Sequence, residues 1–216
     1  MADSKNPTGL HISYNAPVTL TFSIATVIIF ILEQFVFKGM VGFFFTAPGR
    51  IGSDMFFSWE NPLDYIRIIS HVFGHMTWEH LLGNISYILI LGPLLEERYG
   101  SKMLVLMMTT TAIVTGVLNA CFIPRSMVGA SGIAFMMILL SSFTAISRHQ
   151  IPLTFILVLV LFIGQEVFIS WKNSDIAALA HITGGICGSL FGFLHAHKPV
   201  KTNTSQRIIQ ESNTLL

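Results

Sequence analysis

The chain has 216 residues, of which 52% are hydrophobic and 11% are charged, and its mean hydropathy is +0.68. Because soluble domains carry about 25% charged residues, this composition indicates a membrane protein. A net charge of +1, without clusters of lysine or arginine among aromatic residues, argues against binding to nucleic acid.

Six segments are apolar over a length close to the roughly 20 residues that a helix needs to cross the hydrocarbon core. They are residues 18–37, 81–95, 103–123, 133–146, 151–169 and 176–196. The second and fourth are short or interrupted, because each begins with polar residues that must lie against protein or water rather than lipid. The prediction is an all-α, polytopic membrane protein in which residues 18–197 form a six-helix membrane domain, preceded by segment 1–17 and followed by a polar, disordered tail at 198–216.

The distribution of basic residues predicts the orientation of these helices. An even number of spans puts both termini on one side, and seven of the 12 lysine and arginine residues then lie on that side. Since cytoplasmic loops are enriched in basic residues, we expect a multi-pass protein of the cell membrane with cytoplasmic N- and C-termini. The first segment carries Glu33 and Gln34 near its end and lacks a small-residue cleavage site, so a retained helix is favoured over a cleaved signal peptide.

One long connection, residues 38–79, separates the first two segments and is rich in phenylalanine. The rings of its first half are Phe43, Phe44, Phe45, Phe56 and Phe57. A connection this apolar is unlike a flexible linker. Two arrangements remain open: short interfacial helices with the rings partly inserted among the lipid headgroups, or a lid packed on the helix bundle.

A cluster of polar side chains lies at the start of the second apolar segment. His80 and Asn84 are four residues apart, so on a helix both side chains lie on one face. Two donors aimed at one point suit the oxyanion that forms during acyl transfer, and the backbone N–H of Ser131, at a helix start, would add a third. The alternative is that His80 and Asn84 only cap or cross-link helices.

A metal site is the competing interpretation of this cluster, since His71, His75, Glu79 and His80 are close in sequence. The His-Glu-x-x-His spacing that brings two ligands onto one helical face is absent. If His75 and His80 shared a helix, five residues would splay their side chains by about 140°. No metal and no other cofactor are therefore predicted. The two cysteines, both in apolar segments, are interpreted as packing residues rather than as a disulfide or metal pair.

Two further polar residues stand out within the apolar segments. Ser131 belongs to a run of small residues, 129–132, where a hydroxyl contributes little to packing. His181 is an ionisable group in a membrane-length segment, where such groups are costly and usually functional. We interpret them as the nucleophile and the general base of a catalytic dyad. No carboxylate has the spacing of an obvious third member, and Glu166 and Asp175 have no assigned role.

A row of glycines follows His181 along one face of its predicted helix, at offsets of 3, 4, 7 and 11 residues. They are Gly184, Gly185, Gly188 and Gly192. Glycine on a membrane helix lets a neighbouring backbone approach closely. If that neighbour carries Ser131 and Gly132, the approach would bring the serine Oγ within about 3 Å of the histidine.

These motifs together resemble the rhomboid family of intramembrane serine proteases, in its six-helix bacterial and archaeal form. The resemblance runs from about Arg67 to Gly188 and includes four motifs in the family's order. They are His75-x4-His80-x3-Asn84, Glu96-x-Arg98-x-Gly100, Gly129-x-Ser131-Gly132 and Ala180-His181-x2-Gly184-x3-Gly188. Each motif alone is weak, whereas the four together are specific.

The resemblance implies a protease that hydrolyses peptide bonds in or near the transmembrane segments of other membrane proteins. It implies that Ser131 is the nucleophile and His181 the general base, and that His80, Asn84 and the Ser131 amide form the oxyanion hole. The remaining motif residues would be structural. These are Gly129, Gly132, Gly184 and Gly188 for helix packing, and Glu96 and Arg98 for tying the end of the second helix to its neighbours.

Two positions depart from the family pattern. Ile66 stands where many members hold a tryptophan before Arg67, a change that would loosen the anchoring of the long loop. Phe135 stands where a tyrosine often stacks on the catalytic histidine, so the resemblance implies a structural ring that keeps the stacking and lacks the hydroxyl.

The expected partners are transmembrane protein substrates and the lipid bilayer, and the sequence specifies no oligomeric state. We expect substrates to arrive beside the fifth segment, with Trp171 and the loop 172–175 as a lid. The main alternative is a catalytically inert rhomboid-like protein that binds transmembrane clients, against which the presence of both Ser131 and His181 counts. A channel or transporter is disfavoured by the absence of repeats and by the sparse intramembrane charge.

Overall fold

The computed structural model describes residues 14–144, 153, 156, 157, 160 and 177–195. Every regular element within these residues is helical, which confirms the helical fold class. Several predictions concern positions outside the described residues. They are segment 1–13, most of the fifth apolar segment, Glu166, Trp171, the loop 172–175 and the tail 198–216.

Seven α-helices are described, with a 3₁₀ helix at His71–Phe73. The α-helices are α1 (Pro17–Phe35), α2 (Met40–Phe44), α3 (Pro62–Ser70), α4 (Trp78–Tyr99), α5 (Ser101–Phe122), α6 (Ser131–Thr144) and α7 (Ala177–His195). Among the described helices, α1 and α5 are long and apolar enough to cross a membrane by length and composition. Helices α6 and α7 contain shorter apolar stretches, Ser131–Ser142 and Ala180–Leu194.

Helix α4 is longer than the predicted segment 81–95. It begins at Trp78, because the Thr77 side chain accepts a hydrogen bond from the N–H of His80, 3.2 Å away, and caps the first turn. At the other end, Gly100 has a φ of 81°, a conformation that favours glycine, and α5 begins directly after it. The second predicted segment is therefore not a short helix, since the cap brings the preceding polar residues into it.

Helix α6 lies at the centre of the described bundle. Its most extensive contacts are with α7, and it also packs against α4 and α5. A Cβ on Gly184 would overlap the carbonyl oxygen of Gly132 and lie 2.8 Å from its carbonyl carbon, and a Cβ on Gly188 would lie 3.0 Å from the carbonyl carbon of Met136. Backbone therefore meets backbone along this interface, and the glycines of α7 set its distance from α6.

A buried carboxylate joins α1, α4 and α5. Glu96 accepts hydrogen bonds from the N–H groups of Val18 and Thr19 at the start of α1, at 2.9 and 3.0 Å, and from the Thr19 hydroxyl at 2.9 Å. The Ser101 hydroxyl at the start of α5 donates a fourth bond at 2.7 Å. The first N–H groups of a helix lack intrahelical partners, so a carboxylate there both satisfies them and complements the helix dipole.

The long connection contains α2, α3 and the 3₁₀ helix. Arg67 holds it together, since its Nε donates to the Phe43 carbonyl at 2.7 Å and its Nη1 pairs with Asp64 at 2.7 Å. The neighbouring Ile66 is 58% exposed, so the loop is anchored without a large ring at that position. Three of the five phenylalanines in its first half are about half exposed, which favours the interfacial arrangement over a lid packed on the bundle.

Candidate functional site

The loop between α5 and α6 is anchored to the long connection. Ala47 and Met127 exchange backbone hydrogen bonds of 2.8 and 2.9 Å as an antiparallel bridge. The buried Asn119 amide donates to the carbonyls of Pro48 and Arg125, both at 3.0 Å. These bonds hold the chain that leads into α6.

Gly129, two residues before α6, is enclosed on two sides. Its φ of 123° favours glycine, and its N–H donates to the carbonyl of His71 at 3.0 Å. A Cβ at this position would lie 2.6 Å from Nε2 of His80 and 3.7 Å from Nδ2 of Asn84. The fold therefore brings His80 and Asn84 against the loop that leads directly into α6 and Ser131.

His75, which the sequence offered as a possible metal ligand and as a motif residue, contacts Asn84 in this cluster. It precedes Thr77, the cap of α4, so it does not share a helix with His80, and their ring centroids are 4.8 Å apart. The predicted splay of these two side chains is therefore wrong. Nε2 of His75 lies 2.9 Å from Nδ2 of Asn84. The four-motif pattern contained His75, but only the break in the helix lets it reach Asn84.

The protonation state of His75 decides how many amide hydrogens of Asn84 remain available for other hydrogen bonds. Burial, together with the nearby His80, lowers the pKa of His75 to about 4, so its ring is neutral at pH 7. In the tautomer protonated on Nδ1, Nε2 accepts one amide hydrogen of Asn84. The second amide hydrogen then remains available to a ligand.

His71, considered from sequence only as a metal ligand, is a buried support for the same loop. Its Nδ1 lies 2.9 Å from the carbonyl of Ile68 and its Nε2 lies 3.4 Å from Oγ1 of Thr115, while its own carbonyl receives the Gly129 N–H. Burial lowers the pKa of His71 to about 4, so this ring too is neutral at pH 7. Within the described ranges, no group of three or more His, Cys, Asp or Glu residues could hold a metal ion.

His181 lies on α7 opposite the start of α6. Its ring centroid is 4.2 Å from that of Phe135, with the planes tilted by 43°, so the rings are in contact without stacking in parallel. His181 is also within electrostatic range of His80. Because Ser131 and Phe135 are four residues apart on α6, they share the helix face that meets His181.

The motif residues Glu96 and Arg98, at the far end of α4, belong to the scaffold. Glu96 lies about 24 Å along the helix from His80, at 1.5 Å per residue. The guanidinium of Arg98 is exposed and lies 5.8 Å from the ring centroid of Tyr99, a contact within α4 itself. Both residues are thus far from the cluster around Gly129.

A polar cluster held among apolar helices, two of them long enough to span a bilayer, is typical of a helical integral membrane protein. The family model described as the rhomboid domain matches residues 62–198, which is more than half of the chain. The chain therefore belongs to the rhomboid family, a family of integral membrane proteins, and the resemblance seen in its motifs is confirmed.

Individual relatives are similar at low identity. Rhomboid protease GlpG of Haemophilus influenzae is 23% identical over 180 residues, which cover 82% of this chain and 90% of the relative. Rhomboid protease GlpG of Yersinia enterocolitica is 27% identical over 194 residues, covering 88% and 66%. Rhomboid-related protein 1 of Caenorhabditis elegans is 31% identical over 152 residues, covering 62% of this chain and 41% of the relative.

Proposed function

We propose that this chain is an intramembrane serine endopeptidase that hydrolyses peptide bonds in or near the transmembrane segments of other membrane proteins. One observation carries the proposal: the His181 ring lies 4.2 Å from Phe135, one turn beyond Ser131 on the same face of α6. Membership of a family in which two of the similar proteins are named as proteases supports it.

In the proposed reaction, Ser131 is the nucleophile and His181 the general base. The imidazole takes the hydroxyl proton as the serine Oγ attacks the scissile carbonyl carbon. The tetrahedral intermediate collapses when the peptide C–N bond breaks and the imidazolium protonates the leaving amine. Water, deprotonated by the same imidazole, then hydrolyses the acyl-enzyme and regenerates the serine.

The negatively charged oxygen of the intermediate would be stabilised by His80, Asn84 and the backbone N–H of Ser131. Gly129 lies against both side chains, so their donors are close to the N–H groups of the first turn of α6, which have no partner within a helix. His75 holds the Asn84 amide at 2.9 Å, which would orient this donor before charge develops on the substrate.

The proposed architecture is the six-helix rhomboid-like bundle formed by residues 18–197, with both termini in the cytoplasm and the bundle in the cell membrane. Helices α1 and α5 would be two of its spans. A substrate helix must unwind locally, because its carbonyls are hydrogen-bonded within the helix and hidden from the serine. We propose that it arrives beside the fifth apolar segment.

Labelling with a fluorophosphonate, which reacts with activated serine hydroxyls, tests the proposed function. The purified wild-type protein is expected to be labelled at Ser131, as located by mass spectrometry of the modified peptide. The same preparation should cleave a transmembrane reporter peptide in lipid vesicles. A folded protein that is neither labelled nor active would favour the inert, client-binding alternative.

Asn84→Ala is expected to lower turnover of the reporter peptide. Loss of one oxyanion donor costs on the order of 10²–10³ in turnover where that donor dominates, and the two remaining donors should bring the loss below that range. The variant also loses the hydrogen bond to His75, which costs about 1–3 kcal/mol of stability. Turnover and melting temperature are measured together.

His75→Ala is the matched control for this prediction. It removes the same hydrogen bond and costs at least as much stability, because loss of the buried imidazole also leaves a cavity, but it leaves the Asn84 amide in the site. We expect a smaller loss of turnover than in Asn84→Ala. Equal losses in the two variants would mean that Asn84 serves the fold and not the oxyanion.

Gly184→Ala is expected to reduce turnover by about 10²-fold, the cost of a displacement near 1 Å at a reacting centre. The added methyl group would overlap the Gly132 carbonyl and push α7 away from α6. Gly83→Ala makes the same change on α4, where a Cβ would meet none of the described residues within 4 Å, and should retain wild-type turnover. If both variants are as active as wild type, the contact between Gly184 and Gly132 does not set the geometry of the site.

A further inference from the structure

A groove of about 600 Å³ lies between the loop after α2, helix α3 and the last turns of α5. Ile68 of α3 and Val117 of α5 contribute apolar side chains to its lining, and the exposed Arg50 stands at its rim. We call it the Arg50 groove. None of the residues assigned to the proposed reaction lines it, so it is a separate site.

The Arg50 groove lies at the level where hydrocarbon gives way to lipid headgroups. Helix α5 has 22 residues, a length of about 33 Å that is close to the roughly 30 Å of the hydrocarbon core. The N–H of Arg50 donates at 2.7 Å to the carbonyl of Ile123, the first residue after α5. The arginine is therefore held beside the end of a helix whose length matches the hydrocarbon thickness.

Aromatic residues at the groove support this depth. Trp59 and Tyr65 line the groove with 79% and 46% of their surfaces exposed, and both make edge contacts with Phe57 at centroid distances of 5.2 Å. The Tyr65 hydroxyl donates to the Trp59 carbonyl at 3.2 Å. Exposed tryptophan and tyrosine are enriched where membrane meets water.

The positive charge of Arg50 at the rim of the groove indicates that the ligand carries a negative charge. In the part of the chain that the structure describes, the Arg50 guanidinium has no hydrogen bond or ion pair with another side chain. A guanidinium presents a rigid fork of donors that matches the oxygens of a phosphate, and at the membrane surface the phosphates belong to lipids.

The size of the groove decides between a lipid and a second transmembrane helix. A spanning helix about 30 Å long and 10–12 Å wide occupies on the order of 3,000 Å³, several times the volume available. We propose that the Arg50 groove binds one anionic phospholipid, whose phosphate pairs with Arg50 and whose acyl chain lies over Ile68 and Val117.

Cys121 gives a direct readout of occupancy, because its exposed thiol lines the groove, whereas the other cysteine is buried. The experiment measures the rate at which N-ethylmaleimide alkylates Cys121, by mass spectrometry, in nanodiscs of phosphatidylcholine with and without phosphatidylglycerol. We expect phosphatidylglycerol to slow alkylation about fivefold when its effective concentration is four times its Kd. Arg50→Gln should abolish this protection, and Arg50→Lys should keep part of it.

Arg125→Gln is the matched control, since Arg125 is also exposed beyond the end of α5 and does not line the groove. It changes the protein charge equally, so it separates pairing at Arg50 from the general effect of a negative membrane surface on thiol reactivity. Protection should survive in this variant. The proposal is overturned if Arg50→Gln retains full protection, if phosphatidylcholine alone protects equally, or if inorganic phosphate protects the detergent-solubilised protein as well as the lipid does.

Discussion

Replacement of Ser131 by alanine is expected to reduce cleavage of a transmembrane reporter by on the order of 10⁶-fold, the loss seen when a serine nucleophile is removed from its catalytic unit. The substitution deletes one oxygen at the first position of α6, beside residues that are themselves small. Packing should change little, so the melting temperature and the membrane insertion of the variant are expected to match wild type. Cleavage is measured in lipid vesicles with purified protein.

Ser142→Ala is the control for the loss of a hydroxyl from the same helix. The Ser142 hydroxyl donates to the carbonyl of Ile138 at 3.0 Å, within α6, and lies about 16 Å along the helix from Ser131, at 1.5 Å per residue. This variant should cleave at the wild-type rate. Substantial cleavage by the folded Ser131→Ala variant would contradict the serine-protease proposal, regardless of the activity of Ser142→Ala.

Replacement of His181 by alanine is the second change with a very large expected effect. An unassisted serine hydroxyl is a weak nucleophile, so we expect a loss of turnover similar to that of Ser131→Ala, together with loss of fluorophosphonate labelling at Ser131. Persistent labelling at the wild-type rate would mean that another group activates the serine.

The double variant tests whether the two residues act as one unit. Members of a catalytic unit are strongly non-additive, since the second removal costs little once the first has disabled the mechanism. Ser131→Ala combined with His181→Ala should therefore be no slower than the worse single variant. Multiplication of the two losses would contradict a shared catalytic step.

Local features of the sequence were sufficient to predict the class of protein and much of its helical content. Apolar length and low charge indicate spanning helices because transfer of side chains into hydrocarbon is a property of each segment by itself. The motif residues were equally local: a glycine-flanked serine, a histidine heading a glycine stripe, and His80 four residues before Asn84. Their order along the chain led to the rhomboid family without any contact being known.

The boundaries of α4 and the position of His75 depended on features that periodicity does not reveal. If the helix of the second apolar segment extended back through Thr77, His75 and His80 would share it and their side chains would point about 140° apart. The Thr77 cap instead starts α4 between them, and the rings come to 4.8 Å. The cap is a single hydrogen bond made by Thr77. Several other polar residues surround Thr77 in the sequence, so its role as the cap does not stand out there.

The sequence by itself determined the membrane character of this protein, its helices and the residue types that its proposed chemistry requires, because hydrophobicity and residue identity are properties of the chain alone. Only the tertiary structure decided which of these residues meet. Gly129 lies against His80, and Gly184 lies against Gly132, across about 50 residues of sequence in each case. Such contacts arise from packing between helices, where the absence of a single Cβ allows two backbones to approach.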